Sequence, residues 1–346
     1  MALKFYSLKV KEIIRETEKT VSIVFEIPKE LEETFSYRAG QYLTIKKEIN
    51  GEAVRRSYSI SSSAAWNEDL QISSKKLEGG KMSTFLWQDL SAGDELEVMP
   101  PLGNFVLTDQ QAPLVLFAAG SGITPLFSIL KEALKVGEQL IHLYYGNRSE
   151  EEVIFSSALK ELQDQYPNRL MVQHYFSSDG ERLDAERAQS LLTALGTDEK
   201  EQAQFYICGP SGMIEAVKIG LEKGGISPGN IQIEYFTSNQ EQDTDSEETA
   251  ISDDLRDITV VLDEEEHQLK LEDGEFILDG ASRIGIDPPF SCQSGVCTTC
   301  KAKLLRGEVE MENNFGLGED EIEEGFVLTC IGKPKTPGVK VSWDEV

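Results

Sequence analysis

Four cysteines crowd the carboxy-terminal end of this 346-residue chain: Cys292, Cys297, Cys300 and Cys330, spaced C-x4-C-x2-C with the fourth 30 positions downstream. Thiolates at that spacing, a loop set plus one from a distant strand end, suit a 2Fe–2S cluster. Gly295 within the loop can take a positive φ and turn amides toward the sulfides, and Ser291, Ser294 and Thr298 can add tuning hydrogen bonds. A structural zinc is the alternative, but zinc ribbons use two matched C-x2-C pairs, and here there is one. A 2Fe–2S centre passes one electron at a time, so a two-electron donor requires a second centre upstream. Cys208 stands apart, and an odd cysteine count argues against a disulfide framework.

Three upstream segments have the residue types for that second centre. Arg56-Ser57-Tyr58-Ser59 is followed about 24 residues later by Gly79-Gly80-Lys81-Met82-Ser83. An Arg fork suits a diphosphate, and a glycine turn opening a helix offers backbone N–H groups to phosphate. Gly120-Ser121-Gly122-Ile123-Thr124-Pro125 directly follows the apolar run Leu114–Ala118. A short glycine turn between strand and helix lets a pyrophosphate approach the backbone, although this one ends in Thr-Pro where the dinucleotide fingerprint has a third Gly. Cys208-Gly209-Pro210 follows the run Phe205–Ile207, and Glu234-Tyr235-Phe236 closes the segment.

Taken in this order, the motifs resemble those of the ferredoxin–NADP reductase superfamily. The resemblance implies FAD rather than FMN, held by Arg56, Tyr58, Ser59 and the Gly80, Lys81, Met82, Ser83 helix start. Tyr58 would stack on the isoalloxazine and Ser59 would hydrogen-bond flavin N5. It implies NAD(P)H on Gly120, Gly122, Thr124, Pro125, Cys208, Gly209 and Pro210, with Cys208 beside the nicotinamide; a small buried strand-end residue is the other reading of Cys208. Glu234 or Phe236 would face the flavin. Arg148, after the second strand, is either a 2′-phosphate ligand or a surface charge; Ser177-Ser178 ends the third strand without the Arg that often follows in NADPH users. The balance leans to NADPH and leaves NADH open. The stretches Gly307–Asn314 and Glu324–Cys330 look like those of bacterial oxygenase reductases, which implies electron delivery from NAD(P)H through FAD and the cluster to an oxygenase, an epoxidase or a ring-hydroxylating enzyme. A stand-alone diaphorase serving small acceptors is the alternative, and a flavin-free iron–sulfur module a more distant one.

These motifs need three kinds of scaffold. Residues 1–110 alternate short β runs with Gly and Pro (Val21–Ile27, Gln41–Ile45, Arg56–Ile60, Leu70–Ser74) and predict an antiparallel β-barrel with one helix, Met82–Leu90. Residues 111–237 repeat strand and helix and predict a doubly wound parallel α/β sheet. The almost wholly polar segment 238–256 reads as an acidic linker. Residues 257–346 read as an α+β β-grasp ferredoxin domain with a helix at Phe276–Arg283.

Asp+Glu 61 against Lys+Arg 33 gives a net charge of −28. Residues 239–346 concentrate it, with 27 acids against 9 bases. Such a surface repels phosphate backbones, so nucleic acid is not an expected partner, while an acidic ferredoxin face would steer toward a basic patch on the electron acceptor. The longest apolar run, Pro113–Ile123, is about half a membrane span, so no membrane insertion is expected. The N-terminus lacks a signal-peptide run, and the expected location is cytoplasmic. His142, His174 and His267 form no ligand pattern.

Overall fold

The computed structural model describes residues 4–195, 197–236, 257–312 and 314–346. The acidic segment 238–256 lies outside the described residues. The chain divides into two compact units, one made of Tyr6–Val54 and Tyr58–Phe236, the other of the carboxy-terminal region with Arg55–Ser57.

In the first unit, β1 (Tyr6–Thr17), β2 (Thr20–Glu26), β3 (Tyr42–Ile49), β4 (Glu52–Ser59), β5 (Gln71–Lys75) and β6 (Glu95–Val98) form a sheet ordered β4-β3-β6-β1-β2-β5. An antiparallel bridge between Ile60 and Ile72 joins the two outer strands and closes the sheet into a barrel. Its interior is Leu8, Val10, Val21, Ile23, Phe25, Leu43, Ile45 and Val98. Helix α1 (Lys81–Gln88) plugs one side with Met82 and Leu86; it begins one residue before and ends two before the expected span.

The sequence pattern gives no sign of β1, although it is 12 residues long. Leu8 and Val10 point inward between charged neighbours, but the pairing with β2 shifts register after Val10 and again after Arg15. Each irregularity breaks the period-two alternation on which strand recognition depends.

The same unit holds β7 (Leu114–Ala119), α2 (Ile123–Val136), β8 (Ile141–Asn147), α3 (Ser156–Gln165), β9 (Leu170–Phe176), α4 (Ala185–Ala194), α5 (Thr197–Gln202), β10 (Gln204–Gly209), α6 (Ser211–Lys223) and β11 (Ile231–Tyr235). The strands are parallel and ordered β11-β10-β7-β8-β9. One face packs on Leu126, Ile129, Leu130, Ala133 and Leu159, the other on Ala188, Leu192, Ile214, Val217 and Leu221. This is the expected doubly wound sheet, and strand order reverses between β7 and β10.

The second unit contains β12 (Asp257–Leu262), β13 (Glu265–Lys270), α7 (Ile277–Arg283), β14 (Lys301–Arg306), β15 (Val309–Met311), α8 (Glu319–Glu323), β16 (Phe326–Leu328), β17 (Gly332–Pro334) and β18 (Lys340–Ser342). The sheet runs β13-β12-β18-β14-β16, with β12 and β18 parallel and its other neighbours antiparallel. Ile277 and Ala281 of α7 pack on Ile258, Val260, Ala302 and Val341, the helix-on-sheet layout of a β-grasp domain.

Candidate functional site

The fold gathers the glycine and cysteine motifs of the first unit at the carboxyl ends of two central strands. Gly120 follows β7 and Cys208-Gly209-Pro210 ends β10, so the two turns flank the point where strand order reverses. Ligands of open α/β sheets bind there, outside the carboxyl ends of the strands. Gly120 has φ 52°, and a Cβ there would meet nothing within 4 Å, so its backbone is open to a large group. Its carbonyl accepts from the Tyr145 hydroxyl at 3.0 Å, and the Tyr145 hydroxyl oxygen in turn accepts from the Ile154 N–H at 3.3 Å. Tyr145 therefore clamps the turn, a role no local pattern announces.

Gly122 answers a different need. A Cβ there would lie 2.1 Å from the Cys208 carbonyl oxygen, so the absent side chain is what lets α2 start against β10. Thr124 is buried and donates to the Ser121 carbonyl at 3.0 Å, which ties the turn to the first turn of α2, where Pro125 is also buried. Pro210 precedes α6 with extended backbone.

On the barrel, Ser59 at the end of β4 is buried and Tyr58 beside it is half-buried. Arg56 is exposed and donates to the Arg55 carbonyl at 2.7 Å. Before α1, the Ser83 hydroxyl accepts from the Leu77 N–H at 3.1 Å and donates to the Gly80 carbonyl at 3.3 Å, fixing the turn that Gly79 enters at φ 71°. Lys81 is paired with Glu52, and the Met82 side chain is in the core, leaving its backbone as the part available to a ligand.

Glu234 joins the two halves. In the parallel register it sits opposite Cys208, and the Ser59 hydroxyl lies close to its carboxyl group. Some of the residue remains accessible, yet its Oε2 is buried with no partner. Burial pushes the carboxyl up to about 8, against the pull of Ser59. Burial first, and then the Glu234 charge, push the Cys208 thiol up. Ser59, Cys208 and Glu234 thus form one cluster from three strands, with an orphaned carboxyl oxygen poised to meet a polar ligand. Phe236 packs at the margin of the core that contains Cys208. Arg148 is exposed beyond β8; its carbonyl accepts from the Ser178 N–H at 3.0 Å, which sets the ends of β8 and β9 side by side. His174 stacks on Phe176 at 5.9 Å and is no part of this cluster.

In the second unit the four cysteines come from one loop and the ends of β14 and β16. Cys297, Cys300 and Cys330 are buried and Cys292 half-buried. Among the described residues no set of three His, Cys, Asp or Glu side chains is arranged around a single metal ion. The Cys297 N–H nonetheless donates to Cys292 Sγ at 3.3 Å, and the thiols act on one another in pairs, Cys292 with Cys297, Cys292 with Cys330, and Cys300 with Cys330. The thiols of Cys297 and Cys330, with the N–H groups of Cys297 and Ser294, hold Cys292 well below the usual thiol range. Its partners are pushed up by the same contacts and by burial. Leu278, Leu317, Leu328 and Ile331 surround Cys300 and Cys330. Gly295 has φ 75°, as the loop requires, while the Ser294 hydroxyl donates to the Cys292 carbonyl at 3.2 Å. Asn314 caps the neighbouring turn through Leu317, where Gly316 lies against the Val296 and Cys297 carbonyls. A buried, convergent thiol set in an apolar shell fits an iron–sulfur cluster.

Comparison with known proteins agrees with this three-part architecture. The oxidoreductase FAD-binding domain family matches residues 7–107, the oxidoreductase NAD-binding domain family 116–218, and the 2Fe-2S iron-sulfur cluster binding domain family 260–335. The chain is 37% identical to a component of the 1,2-phenylacetyl-CoA epoxidase of Escherichia coli (strain K12), over 98% of both chains. The chain belongs to the FAD- and 2Fe–2S-containing oxygenase reductases. Another member of this family, the 3-ketosteroid-9-alpha-monooxygenase ferredoxin reductase component of Rhodococcus rhodochrous, is 35% identical over 97% of this chain and 96% of its own. The glycine betaine monooxygenase reductase of Chromohalobacter salexigens is 30% identical over 87% and 86%. Among solved structures, phthalate dioxygenase reductase shares the fold with a TM-score of 0.62 at 22% identity, covering 98% of both chains. As a member of this family the chain is an NAD(P)H-dependent oxidoreductase with FAD and a 2Fe–2S cluster as cofactors. No helix among the described residues is long and apolar enough to cross a membrane.

Proposed function

We propose that this chain takes a hydride from NAD(P)H at the Ser59–Cys208–Glu234 cluster and delivers single electrons from Cys292, Cys297, Cys300 and Cys330 to an oxygenase. The observation that carries the reading is that Glu234 sits opposite Cys208 at the end of the nucleotide strand β10, with Ser59 of the barrel strand β4 close to its carboxyl group. When bound, FAD exchanges two electrons as a hydride and the cluster carries them onward singly.

Each residue then has a task. Arg56 and the N–H groups at Gly80–Ser83 hold the flavin diphosphate, Tyr58 stacks on the ring, and Ser59 donates to its reactive edge. Gly120, Gly122, Thr124, Pro125, Gly209 and Pro210 shape the nucleotide turn, and Cys208 lines the nicotinamide position. Glu234, kept protonated near neutrality by burial, offers a hydrogen bond without placing a negative charge beside the transferred hydride; Phe236 covers the ring edge. Arg148 meets the 2′-phosphate of NADPH. The working domains are 1–110 for FAD, 111–237 for NAD(P)H and 257–346 for the cluster, joined by 238–256.

The likeness to the Escherichia coli epoxidase component supports an epoxidase of phenylacetyl-CoA type as the electron acceptor, with a ring-hydroxylating oxygenase as the second choice. The acid-rich carboxy-terminal domain supports docking against a basic patch, in the cytoplasm. The test is anaerobic stopped-flow reduction of the holoprotein followed by mixing with the purified epoxidase. Flavin bleaching, then cluster reduction, then a salt-sensitive transfer to the oxygenase is the expected sequence. Efficient transfer to small dyes with none to any oxygenase would refute it.

A further inference from the structure

Directly after the flavin strand β4 the chain runs Ile60-Ser61-Ser62-Ser63, and these serines are tied to helix α2 of the nucleotide sheet. Ser128 Oγ donates to the Ser62 carbonyl at 2.5 Å. Ser63 Oγ donates to the Glu132 carboxylate at 2.6 Å, and the Ser63 N–H donates to the Glu68 carboxylate at 2.8 Å. Glu68 is in turn salt-bridged to Lys131, whose side chain is buried along with most of α2. The Lys131 ammonium lies 4.6 Å from the Phe127 ring, and the Lys131 carbonyl accepts from Trp66 Nε1 at 2.7 Å. On the barrel side, Ser62 Oγ meets the Tyr37 hydroxyl at 2.8 Å and accepts from the Gln71 N–H at 3.0 Å. None of these groups belongs to a cofactor motif, and nearly every donor and acceptor in the chain of contacts is used.

A buried charge such as the Lys131 ammonium adds little net stability through its pair, but it fixes geometry because it must keep its partner. Here the fixed geometry joins two specific points. Ser59 lies three residues before Ser62, and the Gly120–Gly122 turn opens the helix that carries Ser128 and Lys131. We propose that Lys131 and Glu68, with Ser62, Ser63 and Ser128, form a positioning latch that sets the spacing between the flavin strand and the nucleotide turn, and so governs the rate of hydride transfer without touching either cofactor. The proposal rests on the assignment of Ser59 and Gly120 to flavin and nucleotide given above. Burial lowers the Lys131 ammonium and the Glu68 charge holds it up, which makes the pair dependent on both members.

The test uses the FAD- and cluster-loaded protein with Lys131→Met, Glu68→Gln and the double substitution. Flavin content, KM for the nucleotide, thermal midpoint and the anaerobic stopped-flow hydride rate with protiated and 4-deuterated nucleotide are measured. Glu68→Gln strands the buried Lys131 ammonium and lowers the midpoint, Lys131→Met leaves the more exposed Glu68 in reach of water and lowers it less, and the double substitution restores much of the loss. The latch predicts that the double variant keeps full flavin and a KM within about twofold of wild type, yet transfers hydride at least about tenfold more slowly, as expected when reacting atoms are misplaced by a fraction of an ångström or more. Where the charge variants accumulate poorly, Ser128→Ala removes one bond and no charge and is expected to slow the same step by at least about threefold. A double variant with wild-type hydride rate, or a slowing that only follows flavin loss or raised KM, overturns the latch. Failure of the underlying reading looks different: Tyr58→Ala would then retain both full flavin and the wild-type rate.

Discussion

Replacing Gly122 by Ala tests how closely the nucleotide turn must approach β10. Gly122 has φ −61° and ψ −10°, which alanine adopts without strain. The cost is therefore purely steric. The new Cβ would sit 2.1 Å from the Cys208 oxygen, 2.4 Å from its carbonyl carbon and 2.7 Å from the Gly209 nitrogen, all backbone atoms that no rotamer change can move. An ordinary carbon–oxygen contact is about 3.3 Å, so one side must retreat by roughly 1.2 Å. The end of β10 is held in register by β7 and β11 on its two sides, so the turn and the start of α2 give way. Overpacking of this kind costs about 1–3 kcal/mol, and a displacement near 1 Å at a reacting centre costs on the order of 100-fold in rate. Gly212→Ala, in the first turn of α6 where a Cβ meets nothing within 4 Å, is the matched control and should be neutral or slightly stabilising. Urea unfolding and stopped-flow flavin bleaching read the two effects. A Gly122→Ala protein with wild-type unfolding midpoint and hydride rate would show that the close approach is not real.

Three further outcomes are expected. Serine at any one of Cys292, Cys297, Cys300 or Cys330 should abolish acid-labile sulfide and bound iron while NAD(P)H still bleaches the flavin; an intact cluster in any single variant disproves the ligand set. Glu234 is raised by burial from the ordinary carboxylate range to about 8, so the stability tied to its neutral form is complete below about pH 4.5 and drains away as pH rises through 8; the loss is on the order of a few kcal/mol at most. Glu234→Gln should flatten the fall in unfolding midpoint between pH 5 and 8, and a profile parallel to wild type would place the burial elsewhere. Arg148→Ala should lower kcat/KM for NADPH by at least about tenfold and leave NADH nearly unchanged, since a charge-assisted phosphate contact contributes about 1.5–3 kcal/mol; equal losses with both nucleotides would remove Arg148 from the site.

Spacing and periodicity alone determine much of this protein. The C-x4-C-x2-C run with its distant fourth cysteine, the glycine turns after apolar runs, and the strand–helix alternation of residues 111–237 are local patterns, because thiolate reach, turn geometry and burial on a sheet act over a few residues. Tertiary structure decides what lies between them. Barrel closure through Ile60 and Ile72 and the register slips of β1 depend on partners far along the chain. The meaning of Gly122 is set by a carbonyl 86 positions downstream, and the carboxyl group of Glu234 becomes distinctive only when β11 lies beside β10 and Ser59 reaches it. Lys131 reads in the sequence as one more charged residue on a helix. Only the fold, by burying it against Glu68, gives that charge a fixed partner and hence a place in the geometry.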